Sequence, residues 1–134
     1  MLKDSKQIFS ELLNLIEICD YENAKELIEI YLQNDENNVE FLDLYSEILI
    51  NSDLPQEAIK IIKKSIEIAP NLNGDKYMSL AQLSDYKPAL KYYHKGIEIY
   101  KNQIVDNSNN VELNISIASG YAALAELYMN TDLW

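Results

Sequence analysis

The chain has 134 residues, with 22 acidic side chains against 11 lysines and no arginine, a formal charge of −11 and 48% hydrophobic residues. That is enough for one domain with a modest core; the charge repels phosphates and argues against nucleic acid as the main ligand, and no run approaches the roughly 20 apolar residues of a membrane span. A single cysteine, Cys19, excludes an internal disulfide and fits a reducing compartment.

The opening stretch MLKDSKQIFSELL places charges too early, and has too short an apolar run, for a signal peptide. Its apolar residues Ile8, Leu12, Leu15 and Ile16 recur three and four apart, which predicts a helix over 5–18. Cys19 closes that stripe and is expected to be a buried small residue. Asp20 stands where a carboxylate can accept the free amides of a second helix, over 21–34. QNDENN at 33–38 reads as a turn. Leu42, Tyr45 and Leu49 carry a helix over 39–51. Asp53 is expected to cap the next helix, over 55–69, with Pro55 in its first turn and Pro70 ending it. PNLNGD at 70–75 is a turn, and Tyr77, Leu80 and Ala81 mark a short helix over 75–84. Asp85 and Pro88 open a helix over 87–104, the polar stretch KNQIVDNSNN follows, and a last helix is predicted over 111–130.

The second, fourth and sixth of these helices repeat one another. Each holds an alanine followed four residues later by a large side chain: Ala24 and Ile28, Ala58 and Ile62, Ala89 and Tyr93. The alanines are 34 and 31 residues apart. A small residue followed one turn later by a large one lets a neighbouring helix approach closely, with the large side chain filling the gap beside it. Paired helices at this period resemble the tetratricopeptide repeat family. The best unit is LAQL…DYKPALKYYHKGIEI, where Leu80, Ala81, Tyr86, Ala89, Tyr93 and the small Gly96 fall at the motif's positions. The first repeat departs from the motif at Glu36, where a proline is usual. In the third, Leu80 and Ala89 are only nine residues apart, about a turn short of the motif.

The expected fold is therefore all-α. It is a tetratricopeptide-repeat solenoid of antiparallel helix pairs in a single domain over 1–134, with repeats at 5–38, 39–72 and 73–104 and an extra helix at 111–130. In that last helix Tyr121, Leu124, Ala125 and Tyr128 repeat the spacing of the earlier first helices, as though a fourth unit had been cut off within a longer protein. Its apolar surface is expected to support a dimer through Ile117, Tyr121, Leu124 and Tyr128.

The charge is uneven. Residues 1–58 carry 14 acids and 3 lysines, and residues 59–134 carry 8 of each. The family resemblance implies that the first helices line a groove for an extended peptide. Helical direction places Phe9, Leu13, Ile16 and Glu17 in it, then Glu40, Asp43, Glu47 and Ile50, then Asp75, Met78 and Gln82, and finally Ala122, Glu126 and Met129. An apolar step beside carboxylates suits a basic, partly apolar segment. The sub-group of the family that grips the acidic tails of heat-shock chaperones needs basic and amide residues where this chain has Phe9, Leu13 and Glu47, so that reading is rejected.

Two stretches, KYMSLAQLSDYKPALKYYHKGIEI with its missing turn and AALAELYMNTDLW, look like segments of the dedicated assembly chaperones of large-subunit ribosomal protein four. Asn130 is an addition within the second stretch. This resemblance implies an acidic, non-enzymatic chaperone that captures the basic internal loop of the new ribosomal protein. It would be cytoplasmic and nuclear, with neither a membrane nor nucleic acid as a direct partner. The alternatives are a generic tetratricopeptide scaffold that joins protein complexes and a non-catalytic fragment of a larger enzyme.

No cofactor or metal is expected. Asp106, Ser108, Asn110 and Glu112 are spaced like the start of a calcium loop, but Val111 stands where that loop requires glycine and Ile117 where it requires the closing glutamate. His94, the lone histidine, lies beside Lys91 and Lys95. Ser119-Gly120 falls inside a helix pattern rather than at a nucleophile elbow.

Overall fold

The Asp4 carboxylate accepts the Gln7 amide, and the Gln7 side chain accepts the Asp4 amide, so a reciprocal capping box starts the first helix. The computed structural model describes residues 3–106 and 110–130. These form seven helices and no strand: α1 (Ser5–Glu17), α2 (Tyr21–Leu32), α3 (Val39–Asn51), α4 (Pro55–Ile68), α5 (Gly74–Gln82), α6 (Tyr86–Asp106) and α7 (Val111–Met129). No helix among the described residues is long and apolar enough to cross a membrane. The calcium-loop-like stretch falls partly on residues 107–109 and the TDLW run on 131–134, outside the described residues.

The chain divides into two compact units, Met1–Pro70 and Asn71–Trp134. In the first, α1 packs on α2, α2 on α3 and α3 on α4. Its core joins Leu12, Ala24, Ile28, Phe41, Leu44 and Ile48, with Phe9 edge-on to Phe41 and Tyr31 stacked on the same ring at 3.9 Å. Ala24 and Ile28, like Ala58 and Ile62, are fully buried, as the repeat pattern requires. Burying each isoleucine stabilises the fold by about 1.5–3 kcal/mol.

In the second unit α5 packs on α6 and α6 on α7, around Ala81, Ala89, Tyr93, Ile97 and Leu124. The missing turn lies in α5, which has 9 residues against 13 in both α1 and α3. The chain's three glycines all belong to this unit, and none has a positive φ. They act through their lack of a side chain. A β-carbon on Gly74 would lie 2.8 Å from the Gly96 carbonyl oxygen, and one on Gly120 2.8 Å from Cγ1 of Ile97. The α5–α6 and α6–α7 crossings are that close because nothing stands between the backbones.

The turns that would favour glycine hold other residues. Cys19 (φ 60°) and Asp53 (φ 62°) take the left-handed conformation just past α1 and α3. Around Cys19, the Asp20 amide donates to the Leu15 carbonyl and the Cys19 amide to that of Ile16. Around Asp53, Leu54 donates to Leu49 and Asp53 to Ile50. These are two Schellman turns of one design. The third turn differs: the Leu80 carbonyl accepts the Ser84 hydroxyl together with the Leu83 amide, whereas in the other two turns the corresponding carbonyl accepts the amide two residues past the helix cap.

This geometry corrects two expectations. Cys19 is exposed, because the left-handed turn swings it off the stripe of α1. Asp53 is the turn residue rather than the cap: Leu54 precedes α4 and supplies no side-chain bond. Asp20 caps α2 as expected, accepting the Asn23 amide.

Candidate functional site

In the first unit, the candidate residues divide between the surface and the interior. Leu13 is 46% exposed on α1, and Glu17, Glu40 and Glu47 are exposed. Among the described residues none of these three glutamates makes an ion pair. The unit holds 15 acids against 6 lysines, and its described ion pairs are Lys3–Glu11 and Lys25–Glu29. Glu17, Glu40 and Glu47 are thus exposed carboxylates without a described ion pair, and Leu13 is one of the exposed apolar residues of the same unit. Phe9 and Ile16 are half-buried and pack against the core, and Ile50 is half-buried. Asp43 does not lie on the free face. It turns toward α4, where its carboxylate accepts the hydroxyl of the fully buried Ser65.

Two tyrosines of the first unit have polar partners close by. The Tyr21 hydroxyl lies against the Cys19 sulfur at 3.9 Å, and that contact, with a smaller contribution from the charge of Glu47, raises its pKa. The Tyr45 hydroxyl donates to Glu29 at 2.6 Å and ties α3 to α2. Burial, then this bond and the Glu29 charge, push the Tyr45 pKa well up.

In the second unit Asp75 is exposed, and its carboxylate accepts the Tyr100 hydroxyl, bracing α5 against α6. Met78 is half-buried, its methyl set against Gly96 and Gly120. Gln82 and Glu126 are exposed, as are Ala122 and Met129. Glu126 lies near enough to Tyr93 that its charge, after burial, helps to raise that hydroxyl's pKa. Of the second-unit residues named from the sequence, Gln82, Ala122, Glu126 and Met129 are therefore free surface, whereas Asp75 and Met78 also serve as helix contacts.

The sequence reading missed an open cleft of about 380 Å³ between α1 and α2, lined by Glu11, Leu15, Asn23, Glu26, Leu27 and Ile30. The available signal was Ile30, an apolar residue off the Ala24–Ile28 stripe; it is 55% exposed.

No protein-family model matches the chain. Two solved structures superpose on nearly all of it. The tetratricopeptide domain of Sgt2 from Aspergillus fumigatus covers 96% of the chain and 84% of its own length, at a TM-score of 0.69 and 18% identity. The chain has a tetratricopeptide-type fold. The assembly chaperone of RpL4, Acl4, covers 98% of the chain at a TM-score of 0.79 and 18% identity, with 57% of its own length matched. In sequence, the chain is 35% identical over 83 residues to the probable assembly chaperone of rpl4 of Schizosaccharomyces pombe. That match takes in 58% of this chain and 24% of the relative, so the chain spans about a quarter of the relative's length. The all-α repeat fold and the resemblance read from the sequence are both what these comparisons find.

Proposed function

We propose that the chain is a protein-binding chaperone that captures a basic, partly apolar segment, and that its client is the ribosomal protein the fission-yeast relative is named for, rpl4. The observation that carries this reading is the 35% identity to that relative over 83 residues. The chemistry of the first unit supports it. Glu17, Glu40 and Glu47 offer carboxylates with no described counter-ion, and Leu13 offers an exposed apolar contact in the same unit. Lysine- and arginine-rich protein is the complement of such a surface, through many screened pairs rather than one strong one. Such a chaperone would meet its client in the cytoplasm and release it in the nucleus, at the forming ribosome.

The test is titration of the chain with the basic internal loop of the ribosomal protein at low and moderate salt. Binding should weaken as salt rises, because exposed charges are screened over roughly 8–10 Å. The double variant Glu40→Lys/Glu47→Lys should bind at least tenfold more weakly and keep its helix content. Leu13→Ala should weaken binding with little salt dependence. Equal binding by wild type and double variant would remove the acidic face from the account. No binding of the loop by the wild type would overturn the proposal.

A further inference from the structure

The second unit separates its charges by helix. Of its five lysines, Lys87, Lys91, Lys95 and Lys101 lie on α6, and the fifth, Lys76, is buried. The exposed carboxylates of Asp75, Glu112 and Glu126 stand on α5 and α7. α6 has both of its chain neighbours in place, since α5 and α7 pack on it. Its buried residues Ala89, Tyr93, Gly96, Ile97 and Tyr100 face them. Leu124 of α7, expected on an outer face with Tyr121 and Tyr128, turns inward to this cluster, and Ile117 is half-buried. The opposite side of α6 carries Lys87, Lys91, His94, Glu98 and Lys101, all exposed. With 3.6 residues per turn, these five fall in a stripe about 80° wide and about 21 Å long.

Within the stripe the cations outnumber their partners. Glu98 is paired with Lys95 at 3.5 Å, and Lys95 also donates to Asn71. Lys87, Lys91 and Lys101 make no ion pair among the described residues. The Lys101 ammonium is set over the Tyr121 ring, 5.0 Å from its centre, which steadies the group and leaves its charge in place. The whole chain has 22 acids against 11 lysines. This ridge reverses that balance, with Glu98 the single acid among its three lysines.

We infer that this ridge docks an acidic, helical segment of a partner protein. Charge complementarity selects carboxylates, and spacing selects a helix. A helix laid along α6 shares its rise of about 1.5 Å per residue, so acids one turn apart meet Lys87, Lys91 and His94 in succession, and a further acid reaches Lys101. Phosphates fit less well. A nucleic-acid strand carries a charge at every nucleotide and would set phosphates against Glu98. The chain also has no arginine, whose planar fork holds a phosphate at two points. Each exposed pair is weak, so the stripe acts as a set, and the complex is salt-sensitive and readily released. A basic client drawn to exposed glutamates and an acidic partner drawn to α6 would use different faces.

The test is fluorescence anisotropy of a labelled alanine-rich peptide of about 15 residues, the length of the stripe, with glutamates one turn apart. It is titrated with the 134-residue chain at low and moderate salt. Binding is expected, weakening severalfold as salt rises. Lys87→Glu/Lys91→Glu should weaken it by more than about tenfold without changing helix content, because both lysines are exposed. A peptide with the same glutamates scattered around the helix should bind less well. No binding at about 1 mM chain overturns the inference. So does binding indifferent to Lys87→Glu/Lys91→Glu, equal binding of the two peptides, or tighter binding of single-stranded RNA of the same charge. Self-association of the chain alone that this double variant abolishes would make a second copy's acidic unit the occupant, and would overturn it too. The basic loop is titrated separately, so failure here leaves the proposed function standing.

Discussion

The carboxylate of Asp43 on α3 accepts the hydroxyl of the buried Ser65 on α4. An acid that helical direction alone places beside Glu40 and Glu47 is therefore a helix-pairing residue. Asp43→Ala should lower unfolding stability by about 1.5–3 kcal/mol, the range for a hydrogen bond to a charged group. Glu40→Lys and Glu47→Lys should each change it by less than about 0.5 kcal/mol, as exposed positions do. Urea unfolding of the three variants checks the ordering. A Ser65→Ala/Asp43→Ala double-mutant cycle isolates the pair itself.

The glycines should rank by what a β-carbon would strike. On Gly74 it meets backbone, the Gly96 carbonyl, and the Tyr100 ring at 2.7 Å. Neither can retreat without moving α5 from α6, so Gly74→Ala should cost about 2–3 kcal/mol. On Gly120 the obstacle is the Ile97 side chain, and alanine returns about 1 kcal/mol of helix propensity in mid-helix. Gly120→Ala should therefore cost visibly less than Gly74→Ala. Thermal unfolding of both variants tests this, and the reverse order would contradict the packing argument.

The two left-handed turns should respond to glycine and the third should not. Cys19→Gly and Asp53→Gly should each stabilise by about 0.5–1 kcal/mol, by removing a β-carbon from the left-handed region. Ser84 is not among the positive-φ residues, and its hydroxyl serves the Leu80 carbonyl. Ser84→Gly should accordingly destabilise, by about 1 kcal/mol. Equal gains at all three positions would show that the turns are not distinguished as described.

The Tyr45–Glu29 bond should contribute to both limbs of the pH–stability curve, beside Asp35 on the acid side and Tyr100 on the alkaline side. Burial raises the Glu29 pKa, but the Tyr45 hydroxyl and Lys25 together outweigh it and leave the group below its ordinary 4.5. A depressed folded pKa means stability present above the unfolded value and lost as pH falls through the folded one. Tyr45 is shifted up, by burial first and Glu29 second, from its ordinary 10.0. A raised folded pKa means stability present below pH 10 and lost as pH climbs beyond it. Glu29→Gln should flatten the acid limb and Tyr45→Phe the alkaline limb. Chemical unfolding from pH 3 to about 11 reads both.

The sequence by itself determined the helices, their pairing and the shortened third repeat, because these rest on local chemistry. Periodicity at three and four residues, a proline in a first turn, and an alanine one turn before a large residue act within a single helix. They predicted the burial of Ala24, Ile28, Ala58 and Ile62 and the short α5. What the tertiary structure alone decided was rotation and depth. A helical stripe names a face only to within a residue or so, and that margin separates Asp43 in solvent from Asp43 bound to Ser65, 22 positions away. The same margin put Leu124 against α6 and left Tyr121 outside. The left-handed turn at Cys19 carries no glycine to announce it, and the glycines that do occur mark helix crossings, where the cost of a β-carbon depends on a backbone elsewhere in the chain.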